Sequence, residues 1–211
     1  MRILVFGASI TQGFYDTDGG WVARLRKYYD ELLVNNPEHD QPTVFNLGIS
    51  GDTSSRLLKR FENETNARKY PGEEFALIFC IGTNNSYVKG NGEQNSTPEV
   101  YGRDLEELVG KAKNFSNKIM FVGLPPCEET KTTPVSWKDI HYTNERILLF
   151  ENVMREVCTT SNIPFVKTLE PIKERLDKGE DLYSDGLHPN NTGHQLVFEL
   201  VRPELDRLLN T

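Results

Sequence analysis

Five short apolar runs punctuate the chain, at residues 3–6, 44–47, 75–81, 119–124 and 163–166. They are mostly continuous rather than alternating, which is the pattern of strands buried on both faces of a parallel sheet. Between them the apolar positions recur at helical spacing. Trp21, Leu25, Tyr28–Tyr29 and Leu32–Leu33 suit a period of about 3.6 residues. So do Leu57–Leu58 with Phe61, Val100–Tyr101 with Leu105 and Leu108, and Ile147 and Phe150 with Val153–Met154 and Val157. A last helix is predicted over residues 192–209, with Pro203 kinking it or opening a new turn. Alternating strands and helices predict a three-layer α/β/α domain around a parallel sheet.

Two polar stretches, 84–97 and 125–143, are longer than the usual connection of about 4–6 residues. Each follows a predicted strand, so both belong at the carboxyl edge of the sheet, where open α/β folds bind ligands. No repeat, low-complexity tract or linker divides the chain, and residues 1–211 are expected to form a single domain.

Composition narrows the function. The net charge of −7 argues against nonspecific binding to nucleic acid or to an anionic membrane, both of which need a basic surface. Cys80, Cys127 and Cys158 are three in number with no CxxC pair, so neither a zinc site nor a disulfide framework is expected. The first apolar run is too short for a signal-peptide core. The longest is far below the ~20 residues of a spanning helix. A cytoplasmic protein without a membrane span is the expectation.

Four segments carry candidate chemistry. Gly7-Ala8-Ser9-Ile10-Thr11 joins the first strand to a helix start, where a hydroxyl and free N–H groups could serve as nucleophile and oxyanion site. The plain alternative is a helix-capping serine, and a phosphate cradle is a third. The segment has no P-loop lysine, no dinucleotide glycine spacing, and Thr11 where a nucleophile elbow needs glycine. Asn46-Leu47-Gly48-Ile49-Ser50-Gly51-Asp52-Thr53 also leads from strand to helix; Gly51 would let the backbone approach a ligand, but taken alone the segment reads as an ordinary turn capped by Asp52 or Thr53. Cys80-Ile81-Gly82-Thr83-Asn84-Asn85 puts an asparagine just past the most apolar strand, where turn formation is the bland reading. In Asp185-Gly186-Leu187-His188-Pro189, the carboxylate can fold back on the imidazole and set its tautomer, as a general base requires. The alternative there is a capping aspartate beside a solvated histidine. No metal-ligand spacing emerges, and His39, His141 and His194 receive no role.

In this order, the four segments resemble the SGNH hydrolase superfamily, the GDSL-type esterases and lipases. The resemblance implies a flavodoxin-like five-stranded parallel sheet in the order 2-1-3-4-5. It implies Ser9 as nucleophile, His188 as base and Asp185 as its orienter. The oxyanion hole would be the backbone N–H groups of Ser9 and Gly51 with the Asn84 side chain. Two departures stand out: Ala8 replaces the aspartate of Gly-Asp-Ser, and Asn85 replaces the aspartate that often follows the third-block asparagine. The expected activity is hydrolysis of a small carboxylic ester or acylated metabolite through an acyl-enzyme, with no cofactor or metal. A non-catalytic flavodoxin-like module binding phosphate or nucleotide is the alternative, and it leaves Asp185, His188 and Asn84 unexplained.

Overall fold

The structure, a computed structural model, describes residues 1–210. Its main sheet has five parallel strands: β1 (Arg2–Gly7), β2 (Thr43–Gly48), β3 (Phe75–Cys80), β4 (Lys118–Val122) and β5 (Phe165–Val166). Their order is β2-β1-β3-β4-β5, as the resemblance implies. The helices are α1 (Ser9–Gln12), α2 (Gly20–Asn35), α3 (Ser54–Asn66), α4 (Thr83–Ser86), α5 (Pro98–Lys113), α6 (Glu129–Thr132), α7 (Asn144–Ser161), α8 (Leu169–Asp177) and α9 (Asn191–Leu209).

Alternation along the strands supplies two cores. Leu4, Phe6, Leu77, Phe79 and Phe121 pack on one face with Phe61 of α3, Tyr101 of α5 and Phe150 of α7. Ile3, Val5, Ala76, Ile78 and Met120 pack on the other with Trp21 and Leu25 of α2 and Val197 and Val201 of α9. Both faces of the central strands are thereby shut from water, which is why their sequence reads as unbroken apolar runs. Three helices open on threonine caps: Thr53 accepts from the Arg56 N–H, Thr97 from Val100 and Thr143 from Arg146. Thr53, rather than Asp52, therefore caps α3.

One expectation changes and another is narrowed. The run at 163–166 pairs only over Phe165–Val166, because Pro164 has no N–H to give a ladder and only its carbonyl bonds, to Phe121 N–H. The last helix spans the predicted stretch, and Pro203 opens no new turn in it. α9 runs on through the proline, started by Asn190, whose side chain accepts from Gly193 N–H. The carbonyl that Pro203 cannot pair with belongs to the exposed Glu199, where solvent can take it, while Val197, Val201 and Leu205 hold the other side in the core. Among the described residues no helix is long and apolar enough to cross a membrane. The three cysteines are free and buried.

Candidate active site

Strand register decides where the candidate residues meet. Gly7 of β1 lies opposite Gly48 of β2 and Cys80 of β3. Ser9, Gly51 and Asn84 follow these positions by two, three and four residues, so all three emerge at the same carboxyl edge. The turn after β1 is tight. A Cβ at Gly7 would lie 1.9 Å from Thr11 Oγ1 and 2.4 Å from the Cys80 carbonyl oxygen, so only glycine lets α1 fold directly over the sheet end. Gly51 is needed for a different reason. It has open space around it but a φ of +79°, a conformation strained for any residue with a side chain.

Ser9 is the first residue of α1. The cap position belongs to Ala8, which makes no side-chain capping bond, so the capping-serine alternative does not describe this helix. The Ser9 hydroxyl instead lies 3.0 Å from His188 Nε2.

The imidazole is held by a compact turn. Asp185 Oδ1 accepts from the backbone N–H groups of Leu187, at 2.9 Å, and His188, at 2.7 Å. Its Oδ2 faces His188 Nδ1 at 2.7 Å. A proton on Nδ1 satisfies the carboxylate and leaves Nε2 as acceptor for the Ser9 hydroxyl. Burial pushes the Asp185 carboxyl up, but the hydrogen bonds from His188 and Leu187 outweigh it, and the group titrates below its usual 3.8. The turn is tied down by Glu128 N–H donating to Gly186 O at 2.8 Å, and by the Tyr183 hydroxyl donating to Pro126 O.

Asn84 is buried and its amide is clamped at both ends. Nδ2 donates to Asp52 O at 2.9 Å, and Oδ1 accepts from the Tyr142 hydroxyl at 3.0 Å. Asp52 is itself buried against Arg60, whose Nε donates to Oδ2 at 2.8 Å. Arg60 Nη2 also donates to Gly7 O at 3.2 Å and Leu47 O at 2.8 Å. One guanidinium thus ties the ends of β1 and β2 to the residue after Gly51.

Ser9, Gly51, Asn84 and His188 line one cavity of about 440 Å³. Asp185 stands behind His188. Three aromatic rings surround the imidazole, with centroids 5.2 Å (Phe14), 5.5 Å (Tyr15) and 5.7 Å (Trp137) away. The two long polar stretches both reach this cavity, one through Tyr87 and the other through Trp137, Lys138, Ile140 and Tyr142. They are joined by a two-stranded antiparallel ribbon that pairs Val88 with His141 and Lys89 with Ile140. A larger hollow of about 960 Å³ lies beside Phe75 and Lys118, at the amino-terminal ends of β3 and β4, away from this constellation.

A model of the GDSL-like Lipase/Acylhydrolase family matches residues 5–196. The chain belongs to that family. It is accordingly an enzyme of the carboxylic ester hydrolase class. The family member is 26% identical over 205 residues to the GDSL esterase/lipase WDL1 of Oryza sativa subsp. japonica, covering 94% of this chain and 75% of the relative. It is 24% identical over 222 residues to the isoamyl acetate-hydrolyzing esterase 1 homolog of Mus musculus, covering 100% and 83%. Its fold superposes on the crystal structure of a lipase/acylhydrolase from Enterococcus faecalis with a TM-score of 0.77 at 22% identity, over 98% and 96% of the two chains.

The two departures from the GDSL pattern have local explanations. Ala8 joins the apolar cluster of one face, where a carboxylate would be buried. Asn85 accepts from Ser54 N–H at 3.0 Å and donates from Nδ2 to Ser54 Oγ at 2.7 Å. Ser54 Oγ can accept there because its own proton goes to Asp104 Oδ2 at 2.6 Å. An amide suits this position because it both donates and accepts.

Several residues of this GDSL-type site escape sequence reasoning. Phe14 and Tyr15 lie in the turn after α1, and only the fold brings them to His188. Arg60 and Arg56 read as the polar face of a helix. Asp16 gave no signal either. Its carboxylate accepts from the Asp18 and Gly20 N–H groups and pairs with Arg24, which fixes the turn that presents Phe14 and Tyr15.

Proposed function

We propose that this enzyme hydrolyses a small carboxylic ester through Ser9, His188 and Asp185. The observation that carries the reading is the relay from Asp185 Oδ2 through both ring nitrogens of His188 to Ser9 Oγ, at 2.7 and 3.0 Å. His188 Nε2 takes the Ser9 proton as Oγ attacks the carbonyl carbon, and the Asp185 carboxylate stabilises the imidazolium that forms. The carbonyl oxygen becomes an anion, met by the N–H groups of Ser9 and Gly51 and by Asn84 Nδ2. Collapse of the tetrahedral intermediate expels the alcohol, which takes the proton from Nε2. Water, deprotonated by the same nitrogen, then attacks the acyl-enzyme; as the acid leaves, Nε2 returns that proton to Ser9 Oγ and the resting enzyme is restored.

The donors are prepared before substrate arrives. Ser9 N–H is among the first-turn donors that a helix cannot pair internally. Asn84 has a second amide proton beyond the one spent on Asp52. Residues 1–211 act in this reading as one catalytic domain, and neither metal nor cofactor takes part. A cavity of about 440 Å³ suits a small ester, in keeping with the acetate ester in the name of the mouse relative.

A fluorophosphonate probe tests the proposal. Mass spectrometry is expected to find one adduct, on Ser9, blocked by prior turnover-dependent acylation and absent from Ser9→Ala. Labelling elsewhere, or nucleotide co-purifying with an unlabelled protein, would overturn it.

A further inference from the structure

The wall of this cavity holds two cations and no carboxylate. Arg56 of α3 and Lys138 of the 125–143 stretch line it, and no described lining residue is Asp or Glu. This occurs in a chain whose acids outnumber its bases, 31 to 24. The nearest acid to Arg56 is Asp52, with Nε 3.5 Å from Oδ1. The other oxygen of Asp52 is already taken by Arg60 at 2.8 Å. One carboxylate between two guanidiniums leaves a positive charge over, and the Arg56 side chain is 63% exposed. Lys138 is exposed and forms no ion pair among the described residues.

The cavity continues past Arg56. Gly51, Arg56 and Tyr87 also border a second groove of about 480 Å³, whose other walls carry Ser55, Gln94 and Asn95. A long alkyl chain would meet hydroxyls and amides there. A charged, hydrogen-bonding group would be matched, because guanidinium presents a planar fork to carboxylate or phosphate oxygens.

We propose that the ester hydrolysed here carries an anionic group, a carboxylate or a phosphate monoester, bound by Arg56 and Lys138. The inference rests on the Ser9 hydrolase reading and names its substrate class. The anion sits on the acyl or the alcohol part, and matched substrates separate these sources.

The acyl pair is monoethyl succinate against ethyl levulinate, which replaces the carboxylate by a methyl ketone of similar shape. The alcohol pair is propanediol monoacetate with and without phosphate on its free hydroxyl. In at least one pair, kcat/KM for the charged member is expected to exceed the neutral one by about fivefold for each cation engaged, the upper yield of an exposed ion pair. The ratio falls as salt is raised. It falls toward one in the Arg56→Gln, Lys138→Gln double variant, and Arg56→Lys keeps part of it. A ratio at or below one in both pairs overturns the inference. So does a ratio indifferent to salt, a measurement on the wild type that stands even if the double variant does not fold. Equal hydrolysis of charged and neutral members refutes only the anion. Failure to hydrolyse any of the four esters, or their hydrolysis by Ser9→Ala, refutes the hydrolase reading and takes the inference with it.

Discussion

The hydroxyl of Tyr142 donates to Oδ1 of Asn84 at 3.0 Å, and this contact decides which way the Asn84 amide faces. With Oδ1 claimed, Nδ2 is turned to Asp52 O, and one amide proton remains beyond that bond, the one the proposed mechanism aims at the oxyanion. Asn84→Ala is expected to lower kcat by about 10²–10³ with little change in KM, because the donor binds charge present only in the transition state. Tyr142→Phe removes the clamp and keeps the ring; a kcat loss of about tenfold or less is expected. Steady-state kinetics on one activated ester check both. A change confined to KM would make Asn84 a substrate contact.

Ser9→Ala is expected to abolish turnover and leave the fold intact. Since Ser9 makes no capping bond, the stability cost is that of one hydrogen bond to His188, about 1 kcal/mol. Urea melts and product assays on the same preparation check it. Near-wild-type turnover would remove Ser9 from the mechanism.

Arg60 acts at a distance from the reacting atoms. Arg60→Gln leaves the buried Asp52 carboxylate without its closest partner and releases the carbonyls of Gly7 and Leu47. A stability loss of about 3–5 kcal/mol is expected from breaking such a pair. Among molecules that remain folded, kcat should fall while KM holds, because Ser9, Gly51 and Asn84 lose their common brace. Unchanged kcat in Arg60→Lys and Arg60→Gln alike would confine the residue to stability.

The protein is expected to lose stability as pH falls from about 6.5 toward 4. Burial drives the His194 imidazole from 6.5 down to about 4, with Arg24 adding to the shift and Asp16 opposing it. The unfolded chain binds this proton first, so stability declines with pH across that window. Asp185 and Asp16, both held below 3.8, add a further loss only at lower pH. Urea midpoints between pH 7 and pH 4 (about the window set by the His194 shift) should fall less steeply in His194→Asn. Parallel slopes would sink the assignment.

Trp137→Ala is expected to change the ranking of esters more than the rate on a small activated acetate. The ring lies 5.7 Å from the His188 imidazole and is 48% exposed. Deleting the whole 125–143 stretch would be a poorer test, because the same stretch holds Tyr142 on Asn84 and Glu128 on the Gly186 carbonyl. An unchanged ranking across acyl lengths would remove Trp137 from specificity.

The sequence by itself determined the layers and the edge. Unbroken apolar runs can be buried only between two helical layers, and right-handed crossovers then bring Ser9, Gly51, Asn84 and the two long stretches to one end of the sheet. It also carried the Asp185–His188 pair, since a carboxylate three residues before a histidine in a proline-limited turn lies within reach of the ring. Tertiary structure alone decided that His188 reaches Ser9 across 179 positions of chain, that Tyr142 orients Asn84, and that Arg60 joins two strand ends. Those contacts are made by side chains distant in sequence, and no local period or turn preference encodes them. The same holds for Arg56, which reads as the solvated face of a helix until strand register places that helix beside the cavity.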